Sequence, residues 1–554
     1  MLHTQKTTEK IILIGMDGAT FDIILPLVRE GKLPSFARLL EEGTWGNTTA
    51  IPPDSPEMWT SIITGVKPEK HGIHDFGYQN DDKFIPFNIS FIKPMPLWRI
   101  LSNRNKKVGI FDWLFAWPPE KVNGFMVTLD ERSMSPFPMA YPKNLTLCYP
   151  LLSFEYFLTL NKINFTKRGH FIDNINCTSE EYIKLVTSIE KYKEELFLNL
   201  FRKNPEVDFF AYVSYLPDDL QHLYYSYMEP YYFDVEKEEV KKYGNVIPEA
   251  YELLDNFLEN FIDDENITLI IVSDHGFHRR DITAGPLLVK NFSDFGRYNH
   301  IVFRMNYLLN KTGFLSFDER GEEIDFSKTK AYFCNNLTFS GICITSRNEY
   351  ERNYTIEEVV KILKNIKLEN GERIFLNINT TNSSNGPNIL FQLNPLLLKK
   401  ETFKFEFKGK GSHAYDTPAS IKYIVINTTL IRKILLFNTS FEIDELIDFS
   451  QLSGGHQING IIIMKGKNIK KNFTIQNVYP IDIAPTILYL LKEKIPTYMD
   501  GKVLTEAIKE EYLSKNPILY TKEKYISPTL TPKISKEGEF KTIEERLKEL
   551  GYLK

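Results

Sequence analysis

Five short apolar runs punctuate the chain: Ile11–Ile14, Val108–Phe111, Phe209–Val213, Leu269–Val272 and Ile461–Met464. None of them alternates with polar residues. Runs of this kind suit strands buried on both faces, as in a parallel sheet covered by helices. Helical patterns lie between them, near Phe21 to Glu42 and Glu180 to Phe201. The alternation predicts an α/β fold, an α/β/α sandwich with a mostly parallel central sheet. In an open sheet of this type, ligands bind beyond the carboxyl ends of the strands. The residues that follow each run are therefore the first place to look for chemistry.

Asp17 follows the first run and precedes Gly18; a carboxylate there can ligate a metal, though alone it reads more readily as a turn residue. Ser55 lies in Pro52-Pro53-Asp54-Ser55-Pro56, where Pro56 suits the first position of a helix and Ser55 its N-cap. A hydroxyl there sits in positive potential that favours an alkoxide or a phosphate. Asp218 and His222 are spaced i, i+4 and share one face of a helix. Asp274 and His275 follow the fourth run and end at Gly276, and two ionisable groups at a buried strand tip need partners. His456, between Gly455 and the fifth run, is a further candidate, with His413 as a rival of similar local sequence. Asp17, Asp274 and His275, then Asp218, His222 and His456, give three side chains for each of two divalent metal ions. Mixed carboxylate and imidazole donors suit zinc, and also manganese or iron. The Ser55 hydroxyl beside one ion would be a nucleophile suited to phosphoryl displacement.

The 554 residues include 42% hydrophobic and 13% aromatic residues, enough for a folded chain and incompatible with dominant disorder. A net charge of -5 speaks against a broad basic face for duplex nucleic acid and leaves a small nucleotide substrate open. The four cysteines stand far apart without a C-x-x-C pair. No run approaches the roughly 18 apolar residues of a membrane span. The default expectation is a cytoplasmic protein. One feature opposes that default. Asn-x-Ser/Thr sequons recur about fifteen times, at Asn47, Asn88, Asn144, Asn164 and Asn472 among others, where composition alone gives roughly four or five. Such an excess fits either an Asn- and Thr-rich chain or an extracellular glycoprotein.

Between about 286 and 450 the pattern changes: asparagines multiply, strands shorten and a Lys/Glu-rich helix near 356–367 stands alone. The expected organisation is a catalytic core, first part, over 1–285; an inserted smaller α+β unit, cap-like, over 286–450; the second part of the core over 451–510; and a tail over 511–554. The tail is expected to close with a short helix near 543–550. The insert is expected to overhang the site and contact the leaving group.

The order of motifs resembles the alkaline phosphatase superfamily, and within it the type I phosphodiesterase/nucleotide pyrophosphatase family. The carrying segments are IILIGMDGATFD, LPSFARLLEEGTWG, PPDSPEMWTSIITGVKPEKHGIHDF, WPPEKVNGFMV, PDDLQH, IIVSDHGF, GGHQINGIIIMKG and IDIAPTILYLL. The match runs from near residue 11 to the C-terminus and is strongest over 11–76. It implies an alkaline-phosphatase-like fold. It also implies that Asp17, Ser55, Asp274 and His275 hold one zinc-type ion and Asp218, His222 and His456 the other. The implied reaction is attack by Ser55 on phosphorus, a phospho-seryl intermediate, then hydrolysis.

The chain departs from its relatives in places. Many carry Thr where Ser55 stands. Eukaryotic nucleotide pyrophosphatases have a phosphate-contacting Asn where this chain has Met58, and relatives often have Arg where it has Asp219. Glu57 and Trp59 occupy positions that sulfatases need as Pro and Arg, which speaks against a sulfatase. A phosphomutase or phospho-transferase, as in cofactor-independent phosphoglycerate mutase, is the second reading, and an inactive binding protein on the same fold the third.

Overall fold

The computed structural model describes residues 9–73, 76–80, 83–92, 95–128, 139–142, 145, 179–233, 235, 237–279, 300–303, 305–317, 325, 327–335, 340–346, 348–381, 388–393, 403–405, 424–425, 429–430, 433–442, 447–450 and 454–522. All five apolar runs are strands of one nine-stranded sheet. In chain order its strands are β1 (Lys10–Met16), β2 (Thr44–Thr49), β3 (Val108–Phe111), β4 (Gly124–Thr128), β5 (Met139–Tyr141), β6 (Phe209–Ser214), β7 (Ile267–Val272), β8 (Asn459–Lys465) and β9 (Phe473–Thr474). Across the sheet the order is β9-β2-β8-β7-β1-β6-β3-β4-β5. The centre is parallel: β1 lies between β6 and β7, with Ile14 level with Tyr212 on one side and Ile271 on the other. Strand β8 runs antiparallel to both β7 and β2, so β2 again points the same way as β1. The carboxyl ends of β1, β2, β6 and β7 therefore share one edge.

Both faces are buried, as the unbroken apolar runs require. Ile12, Ile14, Phe210, Tyr212, Leu269 and Ile271 join one core; Ile11, Leu13, Phe209, Ala211, Ile270 and Val272 join the other. The first face is covered by α1 (Phe21–Arg29), α2 (Pro34–Glu42), α4 (Ser179–Lys203), α5 (Leu216–Met228) and α6 (Val246–Ile262). The second is covered by α3 (Ser55–Thr64) and α8 (Ile483–Leu490).

The helical pattern near Phe21 to Glu42 resolves into two helices. Gly31 adopts a positive φ of 75° and Pro34 opens the second helix, so the chain turns where one continuous helix was expected. Helix α2 lacks a capping side chain of its own. Asp255 of α6 supplies one from 219 residues away, its Oδ1 accepting from the Phe36 N–H at 2.8 Å. The Lys/Glu-rich helix is α7 (Glu349–Asn365), which starts before residue 356 because Asn348 caps it, accepting from the N–H of Tyr350 and of Glu351.

Residues 305–441 contribute a third core of their own, with Leu308, Ile342, Leu363, Phe375 and Ile434 among its members. The chain then returns to the main sheet at β8. The helix expected near 543–550 lies outside the described residues. No helix among the described residues is long and apolar enough to cross a membrane.

Candidate functional site

The sheet edge shared by β1, β2, β6 and β7 collects the residues that follow them. Asp17 leaves β1, its N–H held by the Ser214 carbonyl of β6 at 2.9 Å. Gly18 takes a positive φ of 66°, which turns the chain, and its N–H donates to Asp274 Oδ1 at 3.2 Å. Asp218 and His222 stand one turn apart in α5, directly after β6. Asp274 and His275 follow β7. His456 lies on β-strand Gly454–Gln457, level with Phe277 of the antiparallel strand Gly276–Arg279, immediately before β8. His413, the rival of His456, lies outside the described residues.

Ser55 differs from expectation in one respect. It is the first residue of α3 and not its cap. Asp54 takes the extended cap conformation and accepts from the Ser55 N–H at 3.1 Å. The carboxylate meets the helix's need for an acceptor, which leaves the Ser55 hydroxyl for the site. That hydroxyl lies 3.4 Å from Asp17 Oδ1 and 3.3 Å from His275 Nε2.

The seven residues fall into two buried groups whose donor atoms lie within 4.8 Å of one another in each: Asp17, Asp274 and His275, and Asp218, His222 and His456. In the second group the three spacings are nearly equal. Asp218 Oδ1 is 3.3 Å from His222 Nε2 and 3.2 Å from His456 Nε2, and the two imidazole nitrogens are 3.1 Å apart. Around a tetrahedral zinc with bonds near 2.0–2.1 Å, donors stand about 3.3 Å apart. In the first group, His275 Nε2 is 3.5 Å from Asp17 Oδ1 and 3.3 Å from Asp274 Oδ2, and Ser55 Oγ adds a fourth vertex at similar distances. The His275 and His456 rings stack with centroids 3.6 Å apart, so the groups abut.

The donor set fits divalent cations on further grounds. Asp218 Oδ1 and Asp274 Oδ2 are buried and accept no hydrogen bond. Buried carboxylate oxygens normally have donors or a cation. His275 Nδ1 faces the Gly276 carbonyl at 3.0 Å and His456 Nδ1 the Pro53 carbonyl at 2.9 Å. A carbonyl only accepts, so each Nδ1 carries the proton and each Nε2 presents a lone pair to the site. Burial holds His275 well below the usual imidazole range and keeps it neutral. Burial opposes ionisation of Asp218, yet His222 and His456 hold it well below the usual carboxylate range. Burial and the Asp218 charge push Asp274 up to about 7.

Two supporting residues escape a reading by strand ends. Trp59 Nε1–H donates to Asp17 Oδ2 at 3.1 Å, leaving Oδ1 to face Ser55 and His275. Its signal is the i, i+4 spacing from Ser55, which puts both on one face of α3. The indole fits because Gly15 has no side chain; a Cβ there would lie 2.5 Å from the ring. Gln221 Nε2 holds the Gly18 carbonyl at 3.0 Å, and Tyr251 donates to Gln221 Oε1 at 3.0 Å. Trp59→Phe is expected to keep the fold and weaken metal retention by roughly 10- to 100-fold, the usual effect of losing a hydrogen bond behind a ligand. Metal titration of the variant checks it; unchanged affinity would mean the indole only fills space.

The carboxyl edge of a mostly parallel sheet thus gathers three carboxylates, three imidazoles and a serine hydroxyl. Residues 11–371 match the model of the type I phosphodiesterase/nucleotide pyrophosphatase family. The chain belongs to that family, whose members are divalent-metal-dependent and act on small phosphodiester and nucleotide substrates. Similar solved structures include human ectonucleotide pyrophosphatase/phosphodiesterase 5, with 12% identity, TM-score 0.45, and 90% of this chain and 98% of that chain covered. The murine protein in complex with AMP gives the same values. Phosphonoacetate hydrolase from Sinorhizobium meliloti 1021, in complex with phosphonoformate, has 10% identity, TM-score 0.46, and coverage of 88% and 96%. No curated protein sequence matches the chain.

Proposed function

We propose that this protein hydrolyses small phosphodiesters or nucleotide pyrophosphates through a phospho-seryl intermediate on Ser55. The observation that carries this reading is the Ser55 hydroxyl, buried at the N-terminus of α3 and within 3.4 Å of both Asp17 and His275. Asp17, Asp274 and His275, with Ser55, would hold one divalent ion; Asp218, His222 and His456 would hold the other. Zinc suits the donors best, and manganese or iron is accommodated by the same set. Bound there, the two ions would lower the hydroxyl pKa and neutralise charge on the phosphoryl and leaving oxygens.

The chain's own groups set the geometry. The α3 N-terminus, with Asp54 taking the capping role, turns Ser55 Oγ toward the substrate and places positive potential at the phosphate. Ser55 Oγ gives its proton to solvent and forms a bond to phosphorus as the bond to the leaving oxygen breaks; that oxygen takes a proton from water, and the alcohol or nucleotide departs. Water then attacks phosphorus from the vacated side, the Oγ–P bond breaks, one proton of the water ends on Ser55 Oγ, and the phosphate monoester leaves. Met58, buried three residues after Ser55 on the same helix, offers no hydrogen bond to phosphate, so this chain lacks a contact that eukaryotic nucleotide pyrophosphatases have at that position. The unit spanning 286–450, with its separate core, is the candidate cap over the leaving group.

Hydrolysis of bis-p-nitrophenyl phosphate and of p-nitrophenyl phosphate, each with zinc or manganese and again with a chelator, tests the reading. Metal-dependent preference for the diester is expected. No turnover of either ester with metal supplied would end it. His456→Ala is expected to release one of two bound ions and His413→Ala neither. Metal analysis decides; ion loss from His413→Ala alone would move the ligand role to His413.

A further inference from the structure

The sequon excess is absorbed neither by the fold nor by the hydrolase site. Fifteen asparagines of this chain stand in Asn-x-Ser/Thr, against roughly four or five expected from its composition. Eight of them are among the described residues: Asn47, Asn88, Asn266, Asn310, Asn353, Asn379, Asn438 and Asn472. None is buried, and Asn47, Asn353, Asn379, Asn438 and Asn472 are exposed. A sugar is bulky and strongly hydrated, so only an exposed amide can carry one in the folded chain.

Two positions stand out. Asn438 is in the turn between strands Lys433–Leu436 and Thr439–Glu442, beside Phe437 with a positive φ of 51°. Asn472 has a positive φ of 47° and immediately precedes β9, the edge of the main sheet. At both, the hydroxyl residue two positions on, Ser440 or Thr474, is exposed as well. A sequon in Asn266-Ile267-Thr268 differs: Asn266 bonds Asp264 and Thr268 is buried in β7. An oligosaccharide beside β9 would also shield the end of the main sheet among the described residues, since an open sheet edge is where strands from other chains add. A second, independent observation agrees. Cys343 is disulfide-bonded, and disulfides persist chiefly in oxidising compartments, where N-glycosylation also takes place.

We propose that this protein is an exported N-glycoprotein bearing oligosaccharide on Asn438 and Asn472. In the transfer, the amide Nδ2 bonds to C1 of an oligosaccharide supplied as a lipid-linked phosphate ester. The C1–O bond breaks, the lipid phosphate leaves with the electron pair, and the amide proton passes to a base of the transferase. The test uses the full-length protein isolated from its source cells. Its intact mass is expected to exceed the 64.6 kDa of the sequence by at least two oligosaccharides. Peptide mass spectrometry is expected to place them on Asn438 and Asn472. Asn438→Gln and Asn472→Gln should each remove one, and Ser440→Ala should repeat the effect of Asn438→Gln while keeping the asparagine. Bare peptides at both positions, or a mass gain unchanged in the double Gln variant, would overturn the proposal.

Discussion

Ser55→Ala is expected to lower phosphodiester turnover by roughly 10⁴- to 10⁶-fold, the scale seen when a nucleophile acting within a catalytic unit is removed. Metal content should stay near two ions per chain. The reasoning is geometric. Asp17, Asp274 and His275 already supply three donors to one group without the serine, and Asp218, His222 and His456 lie in the other. The helix should also survive, because Asp54 and not Ser55 satisfies its first N–H. Folding and metal content therefore act as internal controls, and the loss falls on chemistry alone. Ser55→Thr is expected to retain substantial activity, since the hydroxyl is kept. Turnover by Ser55→Ala within tenfold of the parent, at full metal content, would remove Ser55 from the nucleophile role.

The main sheet was legible because its strands need burial on both faces, and a run such as Ile11–Ile14 has few other uses. Site positions were legible for the same reason: Asp17, Asp218 and Asp274 each follow a strand, and parallel pairing of β6, β1 and β7 puts those ends side by side. The i, i+4 spacing of Asp218 and His222 needed only a helix. What escaped depends on pairings between distant segments. Nothing near Asp17 announces that Trp59 will bond it, because the contact joins a strand end to a helix face 42 residues on. The exchange of roles between Asp54 and Ser55 is a choice between two good capping residues, and only the backbone at Asp54 decides it. Asp255 capping α2 is likewise a tertiary event.

Removing the metal ions should produce the other large effect, on stability as well as on activity. Asp17, Asp218 and Asp274 are three carboxylates at one sheet edge, the first and third fully buried and Asp218 only 6% exposed. Like charges in such a place require cations nearby, and two of their oxygens have no hydrogen-bond donor to stand in for one. An ion bound at a thousandfold excess over its dissociation constant stabilises the folded state by about 4 kcal/mol. Exhaustive chelation is therefore expected to abolish turnover and to lower the melting temperature by several degrees, with zinc restoring both. Ser55→Ala should show a thermal shift of similar size, although it is inactive, because the six carboxylate and imidazole donors remain. Asp274→Asn should behave in the opposite sense. It removes one of the crowded negative charges, so the metal-free variant is expected to melt above the metal-free parent, while added zinc stabilises it less and restores no turnover. This crossing of the two melting curves separates a metal site from a merely buried polar cluster. Scanning calorimetry on parent and variant, with and without chelator, reads it directly. A melting temperature indifferent to chelation in the parent would sink the two-ion reading, since these carboxylates would then be balanced by the protein alone.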